Sequence, residues 1–362
     1  MNVLHLSTAK TWRGGEQQLA YLLVELRKMD VQQQVVCVMN SPMFHFCKAE
    51  GFDAVATSKK SSLDLRYSWS IASAARKFSP EIVHSHDSHA HSFALYSKLF
   101  RRFQINLIAS RRVDFPVGQS ISAKWKYRNP EVKKILCVSD AIRDIMLRSV
   151  DSERLATVYS GIDAERFRFS ADGRLRKLAN LSQNIKLIGN VAALAPHKDY
   201  PTFLNTAKQV LSERNDVHFF LIGEGGLRSE LEGLCRELQI EKHVTFCGFR
   251  DDIEYLLPEL DVFLISSETE GLGTSILDAF AAGVAVVATA AGGIPELVLP
   301  EKTGLLCPVK DEACLSKAVH RMLDEVNLAK RLTTGAKQHV QKFYKGETAK
   351  RTLEIYRNIL ER

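Results

Sequence analysis

The sequence predicts an α/β protein made of two doubly wound parallel-sheet domains. Three observations carry that expectation. Short β-branched runs alternate with amphipathic stretches, which is the pattern of strands joined by crossover helices. The alternation occurs twice, on either side of a polar, basic and aperiodic stretch at 164–184. At 362 residues, with 45% hydrophobic and 25% charged residues, the chain is too long for one ordinary domain and apolar enough for two cores.

In the first series VLHL (3–6), VVCVM (35–39), EIVHS (81–85), INLIA (105–109) and KILCV (134–138) read as buried strands. Between them, Leu19, Leu22, Leu23 and Leu26 fall at helical spacing, and Ser139 caps a helix whose apolar face is Ile142, Ile145 and Met146. The second series runs IKLIGNV from 185, VHFFLI (217–222), HVTFC (243–247), DVFLI (261–265) and VAVVA (284–288). Its helices carry Phe203, Leu204, Ala207, Val210 and Leu211 on one face and Leu227, Leu231, Leu234, Cys235 and Leu238 on another. The expected division is a domain at 1–165, a connector at 166–184 and a domain at 185–344. A last helix at 345–362, with Leu353, Ile355, Tyr356, Ile359 and Leu360 at near-helical spacing, packs back on the first domain. In such domains ligands bind at the strand C-termini, so the two edges are expected to form the lips of one cleft.

Lys+Arg 49 against Asp+Glu 42 leaves a modest net charge of +7, which suits anionic ligands or an acidic membrane surface and excludes a histone-like or disordered chain. The seven cysteines lack CxxC spacing and sit mostly among apolar residues, so free buried thiols in a reducing compartment are expected. The opening MNVLHLSTAK is too short and interrupted for a secretion signal, and no uncharged apolar run of 18 or so residues occurs. A cytoplasmic location follows as the expectation.

The most informative segment follows strand DVFLI. It passes the glycine-rich turn Glu270-Gly271-Leu272-Gly273, enters a helix near Thr274 and closes at Gly283. Backbone N–H groups at such a helix start suit a phosphate, and Glu270 and Asp278 are placed to grip different hydroxyls of one extended ligand. Taken alone, a solvated Glu270 and an Asp278 that complements the helix dipole explain the segment equally well. Gly14 and Gly15, after Trp12 and Arg13, either admit a ligand or make a tight turn. His84, His86, Asp87, His89 and His91 form a dense cluster for which ligand contact, core or helix-cap roles, and a metal site are all open. Lys124-Trp125-Lys126-Tyr127-Arg128 interleaves aromatic and basic side chains, as interfacial segments and plain solvated loops both do.

These segments together resemble the retaining glycosyltransferases of GT-B fold, family 4 in particular. The resemblance rests on Gly14-Gly15-Glu16, Leu221-Ile222-Gly223-Glu224-Gly225, Gly248-Phe249-Arg250-Asp251-Asp252-Ile253, the Glu270 segment, Gly292-Gly293-Ile294-Pro295-Glu296 and Thr303-Gly304-Leu305-Leu306. It implies an acceptor-binding first domain and a nucleotide-sugar-binding second one. Glu270 would contact the transferred sugar. Asp278, one methylene shorter than the family's glutamate, would hold the ribose. Lys198 would grip the donor diphosphate, with Gly14, Gly15, Gly223, Phe249, Arg250, Gly271, Leu272, Gly273 and Thr274 lining the donor site. The arginine that the family places five residues before the lysine is Ala193 here, and Arg111 or Arg112 is the expected substitute. Arg112 also replaces a sugar-binding histidine and, being always charged, orients or neutralises rather than accepting a proton. His86 is the expected acceptor-side residue.

The activity implied is transfer of a hexose from a UDP-, GDP- or ADP-linked donor to a glycan or glycolipid acceptor, in lipopolysaccharide or other cell-envelope glycan synthesis. Peripheral contact with the anionic inner membrane is expected, and nucleic acid is not. No D-x-D triplet occurs, so no metal and no other cofactor is expected. A same-fold UDP-N-acetylglucosamine 2-epimerase and a non-catalytic sugar-nucleotide binder are the alternatives. A dinucleotide oxidoreductase is disfavoured because G-x-G-x-x-G is missing after the first strand.

Overall fold

The computed structural model describes residues 1–61, 64–100, 105–118 and 120–361. The chain divides into two compact units, Met1–Gly161 with Lys345–Arg362 and Ile162–Tyr344. The first holds strands β1 (Asn2–Ser7), β2 (Gln32–Val38), β3 (Asp53–Thr57), β4 (Ile82–Ser85), β5 (Leu107–Arg111), β6 (Val132–Cys137) and β7 (Leu155–Thr157). They form one sheet in the order β3-β2-β1-β4-β5-β6-β7, with every pair parallel. Val3, Leu4 and Leu6 of β1 are buried with no regard to alternation, because helices cover both faces of a parallel sheet.

The second unit holds β8 (Lys186–Val191), β9 (Val217–Ile222), β10 (Val244–Gly248), β11 (Val262–Ile265), β12 (Ala285–Thr289) and β13 (Leu305–Cys307). Their order is β10-β9-β8-β11-β12-β13, again all parallel. In each sheet the strand order reverses beside the first strand, between β1 and β4 and between β8 and β11. The loops after those strands therefore splay apart at the C-terminal edge and leave room for a ligand.

The helix Lys345–Leu360 belongs to the first unit. Leu353, Ile355 and Tyr356 join Val3, Leu22, Leu26 and Ile82 in one core, and the buried Tyr356 hydroxyl lies 2.6 Å from His84 Nδ1.

Residues 166–184 are not a free connector. Arg166 pairs with Glu254 at 2.8 Å and Arg174 with Asp252 at 2.7 Å. The Glu259 carboxylate accepts the Leu175 N–H at 3.1 Å, and Leu175 is fully buried. The basic residues of the expected connector are matched to acids of the second unit, and the two units divide between Gly161 and Ile162. The expectation of free thiols fails for two cysteines. Cys307 ends β13 and Cys314 opens the helix Glu312–Asp324, where the Asp311 side chain accepts the Cys314 N–H at 2.9 Å. That tight cap brings the two Cα atoms to 5.7 Å, within disulfide reach, and the two are bonded. Cys37, Cys47, Cys137, Cys235 and Cys247 are free.

Candidate active site

In the second unit the loops after β8, β9, β11 and β12 meet at the C-terminal edge. The buried Asn190 of β8 donates to the Leu264 carbonyl of β11 at 2.7 Å. Tyr200 donates to Asn190 Oδ1, 3.1 Å away. Gly223 and Gly225 let the β9 loop cross the β8 loop: a Cβ on them would run into the Ala192 and Leu194 carbonyls, and Gly223 has φ +150. The Leu194 N–H then bonds the Glu224 carbonyl at 3.0 Å.

This lacing presents Lys198. It lies in the turn Pro196–Lys198, and Asp199, at φ 48, turns the chain into the helix Tyr200–Glu213. Ser266 Oγ donates to the Asp199 carbonyl at 2.9 Å, and the Glu268 N–H bonds the His197 carbonyl at 2.9 Å. The β8 and β11 loops are thus tied on either side of Lys198, by a backbone bond at His197 and by the Ser266 hydroxyl at Asp199. Lys198 Nζ pairs directly with Glu270 Oε1, both side chains largely buried. Ser267 Oγ donates to the same oxygen at 3.4 Å. The Gly293 N–H holds the Glu270 carbonyl at 3.0 Å. Gly292 adopts φ +50 there, where a Cβ would collide with that carbonyl. Glu270 is therefore held from three sides, by the lysine, a serine and the β12 loop.

Beyond it, Gly273 at φ 90 is the N-cap of the helix Thr274–Ala282, and no side chain among the described residues caps it. The helix start is left to backbone donors, with Gly271 and Leu272 in the turn before it. Asp278 lies on this helix. Burial raises its pKa from the usual 3.8 to about 7, and only the Arg166 charge acts against that. Phe249, 76% exposed, stands at the end of β10. Arg250 is engaged, forking onto Asp252 at 2.7 and 2.6 Å.

In the first unit the corresponding edge is built differently. Gly14 and Gly15 begin the helix Gly14–Arg27, and a Cβ at either would meet nothing within 4 Å, so no packing contact demands glycine there. The histidine cluster separates by direction. Asp87 caps the helix Ser88–Tyr96 through the His89 and Ala90 N–H groups. His89 is exposed, and His91 packs edge-on to Tyr127 at 5.2 Å. His84 and His86 turn inward and meet His5, a residue that the sequence reading passed over. His5 is the register partner of His84 across β1 and β4, and that adjacency was the signal for it. His5 Nδ1 lies 3.0 Å from His86 Nε2, and His84 Nε2 lies 2.9 Å from Ser110 Oγ.

One nitrogen from each of the three rings falls within 4.8 Å of the others, the spacing of a possible metal cluster. Burial lowers all three, His5 to about 3 and the others well below the usual 6.5, so each ring is neutral. Hydrogen bonds among protein groups already engage each of them. His86, the expected acceptor-side residue, points its ring into this interior, and among the described residues its buried Nδ1 has no partner. Its backbone carbonyl anchors Arg112 at 2.8 Å. Burial lowers the Arg112 guanidinium to about 10, with Glu16 and Asp87 opposing. Arg111 is committed to its own unit, through the Tyr127 hydroxyl at 3.0 Å and the Phe115 carbonyl.

A doubly wound sheet edge with paired ammonium and carboxylate side chains beside an open helix start can hold an anionic, hydroxyl-bearing ligand. Two family models cover the chain between them: Glycosyltransferase Family 4 matches residues 12–166 and Glycosyl transferases group 1 matches residues 174–339. The chain belongs to the family 4 glycosyltransferases of GT-B fold. Among its relatives, the N-acetyl-alpha-D-glucosaminyl L-malate synthase of Bacillus anthracis is 26% identical over 305 residues, 82% of this chain and 80% of that protein. The D-inositol 3-phosphate glycosyltransferase of Corynebacterium urealyticum is 26% identical over 270 residues, 67% of this chain and 63% of that protein. Among solved structures, a glycosyltransferase from Rickettsia africae superposes with a TM-score of 0.87 at 18% identity, covering 99% of this chain and 98% of that one. Anabaena Alr3699/HepE, solved with UDP and glucose, has a TM-score of 0.86 at 18% identity over 99% of this chain and all of that one. No helix among the described residues is long and apolar enough to cross a membrane.

Proposed function

We propose that this glycosyltransferase moves a hexose from a nucleotide diphosphate donor to an acceptor hydroxyl with retention of anomeric configuration and without a metal ion, in cell-envelope glycan synthesis. The observation that carries the reading is the Lys198–Glu270 pair beside the helix start at Thr274. In the proposed complex the diphosphate takes Lys198 away from Glu270 and lies against the backbone donors of the helix, so the charge that grows on the leaving phosphate meets fixed positive ends. Glu270, released from the ammonium, accepts from sugar hydroxyls, and Asp278 accepts from the ribose. The acceptor oxygen bonds to the anomeric carbon on the face from which the phosphate oxygen departs. That departing oxygen takes the acceptor's proton, so nucleoside diphosphate and glycoside are the products. This chemistry asks the protein for positioning and charge stabilisation rather than a strong base, and the inward-turned, neutral His86 fits that demand.

UDP-linked donors are the first candidates, since the Anabaena neighbour was solved with UDP and glucose. The names of the relatives point to small polar acceptors, and the exposed Trp125 with the basic residues beside it suits peripheral contact with an anionic membrane. The test is a panel of UDP-, GDP- and ADP-sugars, first by thermal shift and then for nucleoside diphosphate release with acceptors. Stabilisation by one donor class and acceptor-dependent release are expected. Conversion of the donor sugar with no acceptor present overturns transfer in favour of epimerisation.

A further inference from the structure

Two of the seven cysteines are joined close to Glu270, and the proposed mechanism does not use them. Cys307 ends β13 and is buried, Cys314 lies in the first turn of the helix Glu312–Asp324 and is half-buried, and the pair is bonded across a separation of seven residues. A cross-link over so short a loop removes little freedom from the unfolded chain, so its effect is local. It fixes the segment 308–313 against the end of the sheet. The other cysteines contrast with it. Burial pushes the five free thiols, Cys37, Cys47, Cys137, Cys235 and Cys247, up to about 11 or 12, where the reactive thiolate is scarce.

Two routes run from this cross-link to Glu270. Through the sheet, Cys307 is the register partner of Thr289 on β12, and its carbonyl accepts the Ala290 N–H at 2.8 Å. The fully buried Thr289 donates its hydroxyl to the Ser267 carbonyl at 2.7 Å, and Ser267 Oγ is the group that donates to Glu270 Oε1. Along the surface, Lys310 lies inside the closed loop at φ 62, a left-handed conformation uncommon for a lysine and kept only where its surroundings hold it. Its Nζ pairs with Glu268 Oε1 at 3.0 Å. The Glu268 N–H in turn bonds the His197 carbonyl beside Lys198. The disulfide thus holds the loop that carries Lys310, and the β11 loop is held from outside by Lys310 and from inside by Thr289.

We infer that Cys307 and Cys314 are a reversible oxidation site, whose disulfide tightens the β11 loop around Lys198 and Glu270 and whose dithiol loosens it. Two equivalents of a small thiol open it. The first thiolate attacks the more exposed Cys314 sulfur, the Cys307–Cys314 bond breaks, and Cys307 leaves as a thiolate and takes a proton. The second attacks the outer sulfur of the mixed disulfide, so that Cys314 leaves and is protonated and a small-molecule disulfide is released. The protons given up by the two small thiols end on the two cysteines, and the small-molecule disulfide acting in reverse restores the bond. The cross-link and its hold on the loop stand on the second unit's geometry; only the consequence for the donor rests on the transferase reading.

The experiment poises the full chain in mixtures of reduced and oxidised dithiothreitol. Alkylation followed by mass spectrometry counts the thiols, and hydrogen exchange follows residues 266–275 and 307–314. Cys307 and Cys314 are expected to change state together while the five other cysteines stay thiols, with both segments exchanging faster in the dithiol form. UDP affinity, measured by calorimetry, is expected to fall about threefold on reduction, the scale of an exposed ion pair. Lys310→Met, at an exposed position, should give the oxidised protein the faster exchange at 266–275 that reduction gives the unmodified chain. Cys314→Ser should make exchange and UDP affinity indifferent to the buffer. A pair that stays bonded in excess thiol, or whose opening leaves exchange at 266–275 unchanged, overturns the inference. A chain that binds no UDP in either form overturns the donor reading instead, because the exchange data still decide the oxidation site.

Discussion

The two sheet edges solve one placement problem with different materials. In the second unit, glycines and backbone hydrogen bonds lace four loops together, and the side chains that project from them are few: Lys198, Glu270 and Asp278. In the first unit, side chains do the lacing. His5, His84 and His86 fill the interior, and Arg111 and Arg112 brace loops against carbonyls. A backbone-built edge leaves its polar side chains to pair with one another and open for a ligand, whereas a side-chain-built edge consumes most of its own in holding the loops. The difference predicts that substitutions at the second edge change chemistry with the fold intact, and that many at the first change stability before chemistry.

The largest effect is expected at Glu270. Glu270→Gln keeps the shape and loses the charge, and transfer should fall by about 10²- to 10³-fold, the scale of removing one group that stabilises a transition state. The melting temperature should hardly move. Unaltered turnover with a saturating acceptor would remove Glu270 from the site. Next comes Lys198→Ala, for which calorimetry should show UDP binding weakened about tenfold or more, as befits a lost charge-assisted bond.

Gly292→Ala tests the lacing itself. A Cβ at φ +50 against the Glu270 carbonyl costs about 1–2 kcal/mol from the backbone alone. Thermal unfolding should show that loss, together with a lower kcat as Glu270 shifts. His5→Phe makes the contrast in the first unit: His86 Nε2 loses its partner inside the core, at a cost of about 1–3 kcal/mol. Stability should drop while UDP affinity holds. A loss of UDP affinity in this variant would erase the distinction between the two edges.

The smallest effect concerns pH. Asp278 holds its proton to about 7 in the free protein, and a ribose hydroxyl favours the carboxylate that can accept from it. UDP affinity should therefore rise with pH through about 7, and Asp278→Asn should abolish that slope. An affinity flat with pH in the unmodified protein would mean that Asp278 does not face the nucleotide.

Much of the second edge was legible in the sequence because its parts are local. The Glu270 turn, the Gly223 and Gly292 loops and the Lys198 turn each lie in a few residues whose glycines announce close backbone approach. What pairs with what was not legible, and the direct contact of Lys198 with Glu270 joins residues 72 apart in sequence. The first edge hid more. His5 looks like one polar residue in an apolar strand until parallel pairing sets it beside His84, and the histidine run at 84–91 gives no sign of which rings turn inward. Strands β3, β7 and β13 escaped as well. β7 and β13 have three residues each and β3 is half-exposed, so edge strands of this kind carry too little apolar pattern to stand out. The basic stretch at 166–184 was read as a connector for a related reason: it is charged and aperiodic, while the acidic partners that tie it to the second unit lie some 80 residues away.

The most direct measurement is a crystal structure of the protein with a hydrolysis-resistant UDP-sugar analogue. The account predicts the diphosphate on Lys198 and on the backbone N–H groups at Thr274, with the Lys198–Glu270 pair opened and Glu270 turned to the sugar hydroxyls. A diphosphate bound elsewhere, with that pair still closed, would contradict it.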